Sequence, residues 1–285
     1  MKNFAIIFSL ESRKHWVNDQ YFPVTLYEKM AVALADSIRV QMPNVDVYCG
    51  SFTEHTLSNW TRKFFTKYNI TVCEELLFPD LKPATYNIFL RSFTKHYFAK
   101  KILDQYDYLV YIDIDALVLK PFEFSFDPTS PIVVVDTMPE WAKAEQKRFT
   151  DLPLNTTLFY LWFDIINGHN EWVFDIDYTD PNILYDHNLD VIITKRIVDS
   201  NLQIIEQEFG GYHCFKPPKE TDLAYHYDGL TAEGSLYMIK DTNPGLYKKY
   251  VLFFEKILNV KIENEPGHWE NIKANYEENK YPKQE

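Results

Sequence analysis

The sequence predicts an α/β fold in which a mixed, mostly parallel central sheet carries helices on both faces. Three observations lead there. Over the first 136 residues, short apolar runs at 4–10, 45–49, 70–73, 108–113 and 132–136 alternate with stretches of helical period, and such alternation builds a parallel sheet wrapped by helices. The 285 residues are 46% apolar and 25% charged, the balance of a globular chain with a sizeable core. With 21 Phe and 20 Tyr against 8 Gly, that core must be bulky and the loops poor in glycine.

Taken in order, Phe4 to Leu10 reads as a first buried strand. It is too short and too weakly flanked for a signal peptide. Leu26, Met30, Ala33, Leu34 and Ile38 recur at the spacing of one helix face. Leu57, Trp60, Phe64 and Phe65 mark a second helix, and Phe89, Phe93 and Tyr97 a third. The second half is less regular. Leu158 to Ile166 and Val191 to Ile193 read as strands among Pro- and Asp-rich loops. Asn243 followed by Pro244 is a helix start, with an N-cap and proline at the first helical position. The helix continues through Leu246, Tyr250, Phe253, Ile257 and Val260. Beyond about residue 262 the chain turns polar. No repeat or linker divides it, so one domain over 1–285 is expected.

A formal charge of -12 argues against a nucleic-acid partner, because phosphate backbones require a basic face. Cys49, Cys73 and Cys214 are odd in number and form no CxxC pair, which favours free thiols in a reducing, cytoplasmic setting. No run reaches the length of a membrane span. The aromatic C-terminal segment around Phe253, Phe254 and Trp269 offers a surface on which a homo-oligomer could pack.

The chemistry concentrates in Tyr108-Leu-Val-Tyr-Ile-Asp113-Ile-Asp115-Ala-Leu-Val-Leu119. An apolar strand ends in two carboxylates one residue apart and then becomes apolar again. Buried charge is costly unless paired or bound to a metal, and on an ideal strand residues i and i+2 face the same side. Asp113 and Asp115 can therefore reach one cation. Hard oxygen ligands select magnesium or manganese, which commonly keep positions open for substrate phosphates.

Val110-Tyr-Ile-Asp-Ile-Asp-Ala-Leu-Val-Leu119 resembles the D-x-D strand of GT-A fold glycosyltransferases, and is most similar to glycosyltransferase family 8, the glycogenin and bacterial galactosyltransferase group. The resemblance implies a Rossmann-like nucleotide-sugar-binding domain, with a nucleotide-binding half at about 1–136, an acceptor-side half at about 137–261 and a tail at about 262–285. It implies Mn2+ or Mg2+ as cofactor and a UDP-sugar as donor. The acceptor would be a glycan, a protein or a small molecule, and anomeric configuration would be retained. His226-Tyr-Asp-Gly229 matches the family's H-F/Y-x-G, which makes His226 the third metal ligand beside Asp113 and Asp115; His213 in His213-Cys-Phe-Lys216 is the competing choice.

On the same resemblance, Tyr27 and the end of the first strand, from Ser9 through Leu10 to Ser12, lie near the uracil base. Asp113, Ile114 and Asp115 contact the nucleotide. Phe93-Thr94-Lys95 is similar to the family's basic helix, which brings Arg91 and Lys95 toward the donor phosphates or sugar. Asp186, followed by His187, falls where the family has an Asp-Gln pair near the anomeric carbon, with Asp177, Asp180 and Asp190 as nearby alternatives for that acid, so Asp186 and Lys95 are the expected catalytic residues. Asn155 stands for an upstream family Asn. The family's K-P-W after H-F/Y-x-G is absent, and Lys216 is a possible substitute for its lysine. Two rivals remain: a GT-A-like module that binds nucleotide-sugar or glycan without turnover, and a haloacid-dehalogenase-like phosphatase, whose D-x-D sits on an early strand.

Overall fold

The computed structural model describes residues 3–10, 26–51, 57–74, 97–137, 159–160, 162–175, 193, 196–200, 202–206, 210–212 and 221–226. In chain order the strands are β1 (Phe4–Ser9), β2 (Asp46–Ser51), β3 (Thr71–Glu74), β4 (Tyr108–Ile112), β5 (Ala116–Val118), β6 (Ile132–Thr137), β7 (Phe159–Tyr160), β8 (Phe163–Ile166), β9 (Gln203–Glu206), β10 (Gly210–Tyr212) and β11 (Ala224–His226). Helices α1 (Leu26–Gln41) and α2 (Asn59–Lys67) separate the first three strands.

The main sheet has the order β3-β2-β1-β4-β8. Its first four strands are parallel and β8 runs antiparallel to β4. The alternation of side chains sorts the sheet into two faces. Ile6, Phe8, Val47, Cys49, Val110 and Ile112 share one core with α1 and with Phe65 of α2. Ala5, Ile7, Leu109, Tyr111 and Ile166 turn the other way, onto Phe98, Ala99 and Ile102 of a helical stretch at 97–102 and onto Ile193 and Ile197. Both faces are therefore covered, as continuous apolar strands require.

Two smaller sheets flank this one, β10-β11-β5 and β7-β6-β9. Helix α1 lies between the main sheet and β5, which is why it is buried nearly all round. Met30 to Ala35, Ser37 and Ile38 are all inaccessible, so Ala31, Val32 and Ala35 join the expected stripe. A helix buried on every side is apolar on every side.

Two buried polar residues help to fix α1. The Ser37 hydroxyl donates to the Leu34 carbonyl at 2.7 Å and accepts from the Val118 amide at 3.0 Å, tying the helix to β5. Glu28, in the first turn, is buried. Its carboxylate accepts from the Ser58 amide (3.0 Å), the Ser58 hydroxyl (2.7 Å) and the Thr61 hydroxyl (2.9 Å). Ser58 is the N-cap of α2, so a negative charge sits at that helix's positive end.

Two sequence expectations change. The single strand expected over Leu158 to Ile166 is two: β7 pairs with β6, whereas β8 pairs with β4. Ile193, expected in a strand, is helical; a three-residue apolar run suits either state, and packing on the second core decides. Phe89, Phe93, and the C-terminal helix and tail lie outside the described residues. Among the described residues, no helix is long and apolar enough to cross a membrane.

Candidate metal centre

Because β1 to β4 are parallel, their carboxyl ends share one edge of the sheet. The strand order runs outward as β1-β2-β3 on one side and then resumes with β4 on the other. This reversal is the switch point, beyond which α/β sheets bind ligands. Asp113 follows the last residue of β4 at that point.

The two carboxylates do not continue a strand. Asp113, Ile114 and Asp115 form a turn, after which β5 leaves the main sheet and pairs antiparallel with β11. The same-side rule of an ideal strand is thus replaced by a turn that curls both side chains toward a third group. A strand carried straight on would have taken the second acid into an apolar sheet. The turn leaves the side chains 27% and 21% exposed instead.

That third group is His226, the last residue of β11, directly opposite Ala116 in the β5–β11 register. Its side chain is 2% exposed. Nε2 stands 3.0 Å from Asp115 Oδ1 and 4.0 Å from Asp113 Oδ2. One ligand atom from each residue lies within 4.8 Å of the others. Around a small octahedral ion at about 2.1 Å, adjacent ligand atoms are about 3.0 Å apart and opposite ones about 4.2 Å. The cluster therefore fits one such ion after a small contraction. Two carboxylates with one imidazole suit manganese or magnesium better than a thiolate-seeking metal.

Neighbouring groups hold the ligands in place. The Asp113 amide donates to the Trp162 carbonyl at 2.9 Å. The Trp162 ring, fully buried, lies 5.4 Å from the His226 ring. Tyr111 donates its hydroxyl to Asp113 Oδ1 at 2.6 Å. Burial, reinforced by the Asp113 charge, holds the Tyr111 phenol well above the ordinary tyrosine range, so it stays a donor. Asp164, also fully buried, is opposite Tyr111 in the β4–β8 register.

Of the residues singled out from sequence, Asp113, Asp115 and His226 come together. Leu10 ends the same edge beside them, but its side chain is buried in the core and its amide donates to the Gly50 carbonyl at 2.8 Å. Tyr27 lies in the first turn of α1, with its side chain outside the described residues. Ser12, Arg91, Lys95, Asn155, Asp186, His213 and Lys216 lie outside them altogether. Sequence reading missed Tyr111 and Trp162. Tyr111 had a signal, since it is two residues before Asp113 on the same strand face. Trp162 had none, because its partners, Asp113 and His226, are distant in sequence.

No protein-family model matches this sequence, and no curated protein matches it. The structure is similar to two crystal structures of LgtC. One is an active-site mutant, with a TM-score of 0.52 at 12% identity, covering 79% of this chain and 87% of that one. The other is the galactosyltransferase LgtC in complex with donor and acceptor sugar analogs, with a TM-score of 0.51 at 13% identity, covering 86% of this chain and 99% of that one. At such identities the likeness concerns the fold, and this chain has the mixed, mostly parallel α/β architecture of GT-A glycosyltransferases.

Proposed function

We propose that this chain is a metal-dependent glycosyltransferase, moving a sugar from a nucleotide-sugar, a UDP-sugar in the simplest case, to an acceptor hydroxyl with retention of configuration. One observation carries the reading: Asp113, Asp115 and His226 converge at the switch point of a GT-A fold. Phosphate-bearing ligands dock at that edge, and the ligand set suits an ion that binds diphosphates. The complex of LgtC with donor and acceptor analogs supports a two-substrate reaction here.

Asp113, Asp115 and His226 would hold a divalent ion, manganese or magnesium, which would supply positive charge for a diphosphate leaving group. The chain's own residues do the rest. The Asp113-Ile114-Asp115 turn faces the nucleotide, and Leu10 offers its carbonyl at the same edge. Ser12 and Tyr27 flank the base, Arg91 and Lys95 bring charge to the phosphates, and Asp186 orients the sugar or the acceptor. The buried Trp162 keeps water from the histidine side of the cluster.

The test is incubation with Mn2+ and a panel of nucleotide-sugars, with and without glycan, protein and small-molecule acceptors. Sustained release of a nucleoside diphosphate from one donor is expected. Donor binding without release across the panel would replace the enzyme by a binding module. Phosphate release from simple phosphomonoesters would replace it by a phosphatase.

A further inference from the structure

Asp113 has two carboxylate oxygens, and the structure treats them differently. Oδ1 accepts the Tyr111 hydroxyl at 2.6 Å, while Oδ2 is the oxygen turned toward His226 Nε2. Tyr111 is itself 2% exposed and packed in the second core of the sheet. Its ring cannot swing away without vacating that core. The hydroxyl therefore occupies one oxygen of the ligand and fixes the rotation of the whole carboxylate. The main-chain bond from Asp113 to Trp162 holds the other end of the residue.

We propose that Tyr111 is a positioning residue that restricts Asp113 to one metal-facing oxygen and so biases the site toward small octahedral ions and against calcium. The inference rests on the metal site of the proposed function and deepens it. Ca2+ takes six to eight oxygens and readily accepts a bidentate carboxylate, whereas magnesium-sized ions demand near-octahedral geometry with fewer protein ligands. A carboxylate pinned through Oδ1 serves the second kind. With the hydroxyl gone, Asp113 rotates and offers both oxygens. Partners that orient a ligand in this way typically change metal affinity by about 10–100-fold when removed.

The experiment is titration of the full chain with Mn2+ alone and Ca2+ alone by calorimetry, comparing wild type, Tyr111→Phe and Tyr48→Phe. Tyr48 stands on β2 of the same sheet, away from the site, and its hydroxyl is hydrogen-bonded to that of Tyr106, so its removal controls for loss of any hydroxyl. The expected result is a Mn2+ affinity for Tyr111→Phe lower by about 10–100-fold, a smaller change for Ca2+, and no change in either for Tyr48→Phe. Equal losses for both ions, or affinities like wild type, would overturn the proposal. If Tyr111→Phe does not fold, Tyr111→Met, which lacks a hydroxyl and adapts to its cavity, takes its place under the same criteria. A wild type that binds neither ion overturns this inference together with the metal site. Binding of Mn2+ with the expected ion preference but no sugar transfer overturns the proposed function and leaves the role of Tyr111 intact.

Discussion

Ala116 lies directly opposite His226 across the antiparallel β5–β11 pair. Asp115 precedes the first of these residues, so two ligands far apart in sequence meet one rung from each other. The metal cluster is a property of this pairing as much as of the D-x-D turn. Its geometry can be tested from either strand.

Asp115→Asn and His226→Ala each remove one of three ligands while leaving the β5–β11 ladder in place. Mn2+ affinity should fall by at least about 100-fold in each, more than for loss of an orienting partner. For Asp115→Asn the thermal midpoint in chelator should stay near that of the metal-free wild type, whereas His226→Ala leaves a cavity beside the buried Trp162 and lowers it. Mn2+ binding at wild-type strength in Asp115→Asn would remove the cluster from consideration as a metal site.

Ser37→Ala should destabilise the chain by roughly 1–3 kcal/mol, because the Val118 amide loses its acceptor inside the core. Equilibrium denaturation measures this. A cost below about 0.5 kcal/mol would mean that β5 finds another acceptor on α1.

Glu28→Ala deletes an acceptor for three donors at the start of α2. Hydrogen bonds to charged groups are worth about 1.5–3 kcal/mol each, but they are not additive when they share one acceptor. A total loss of roughly 3 kcal/mol is expected, with faster amide exchange at the first turn of α2. Exchange unchanged there would show that the Ser58 cap suffices alone.

Gly50→Ala should cost about 1–3 kcal/mol through overpacking. A Cβ at Gly50 would overlap the ring of the buried Phe98. Adding Phe98→Leu should recover part of the loss, so the double variant is more stable than the sum of the singles. Strict additivity would deny the contact.

The first half of the chain was readable because its central strands, β1 and β4, are buried on both faces. The apolar runs expected at 4–10, 45–49, 70–73, 108–113 and 132–136 became β1, β2, β3, β4 and β6 with ends within about two residues. Past residue 137 the same kind of signal blurs. Phe159 to Ile166 is one apolar stretch in sequence but serves two sheets, and nothing in its composition marks the transfer. The site divides in the same way. Asp113 and Asp115 stood out as charge at the end of an apolar strand. His226 needed a family resemblance to single it out, since its placement depends on strand pairing. Tyr111 and Trp162 looked like core aromatics because, apart from one hydroxyl and one carbonyl, they are.

The Asp113–Asp115 turn is where the chain crosses from the main sheet into a smaller one. An ion gripping Asp113, Asp115 and His226 would act as a rivet between two separately hydrogen-bonded layers. At a concentration one hundred times its dissociation constant, a ligand adds about 2.7 kcal/mol to folded-state stability, and here that increment falls on the joint. Chelation should therefore loosen β5, β10 and β11 before it disturbs the strands of the main sheet. Cofactor supply would then govern how tightly the molecule is fastened together as well as whether it turns over.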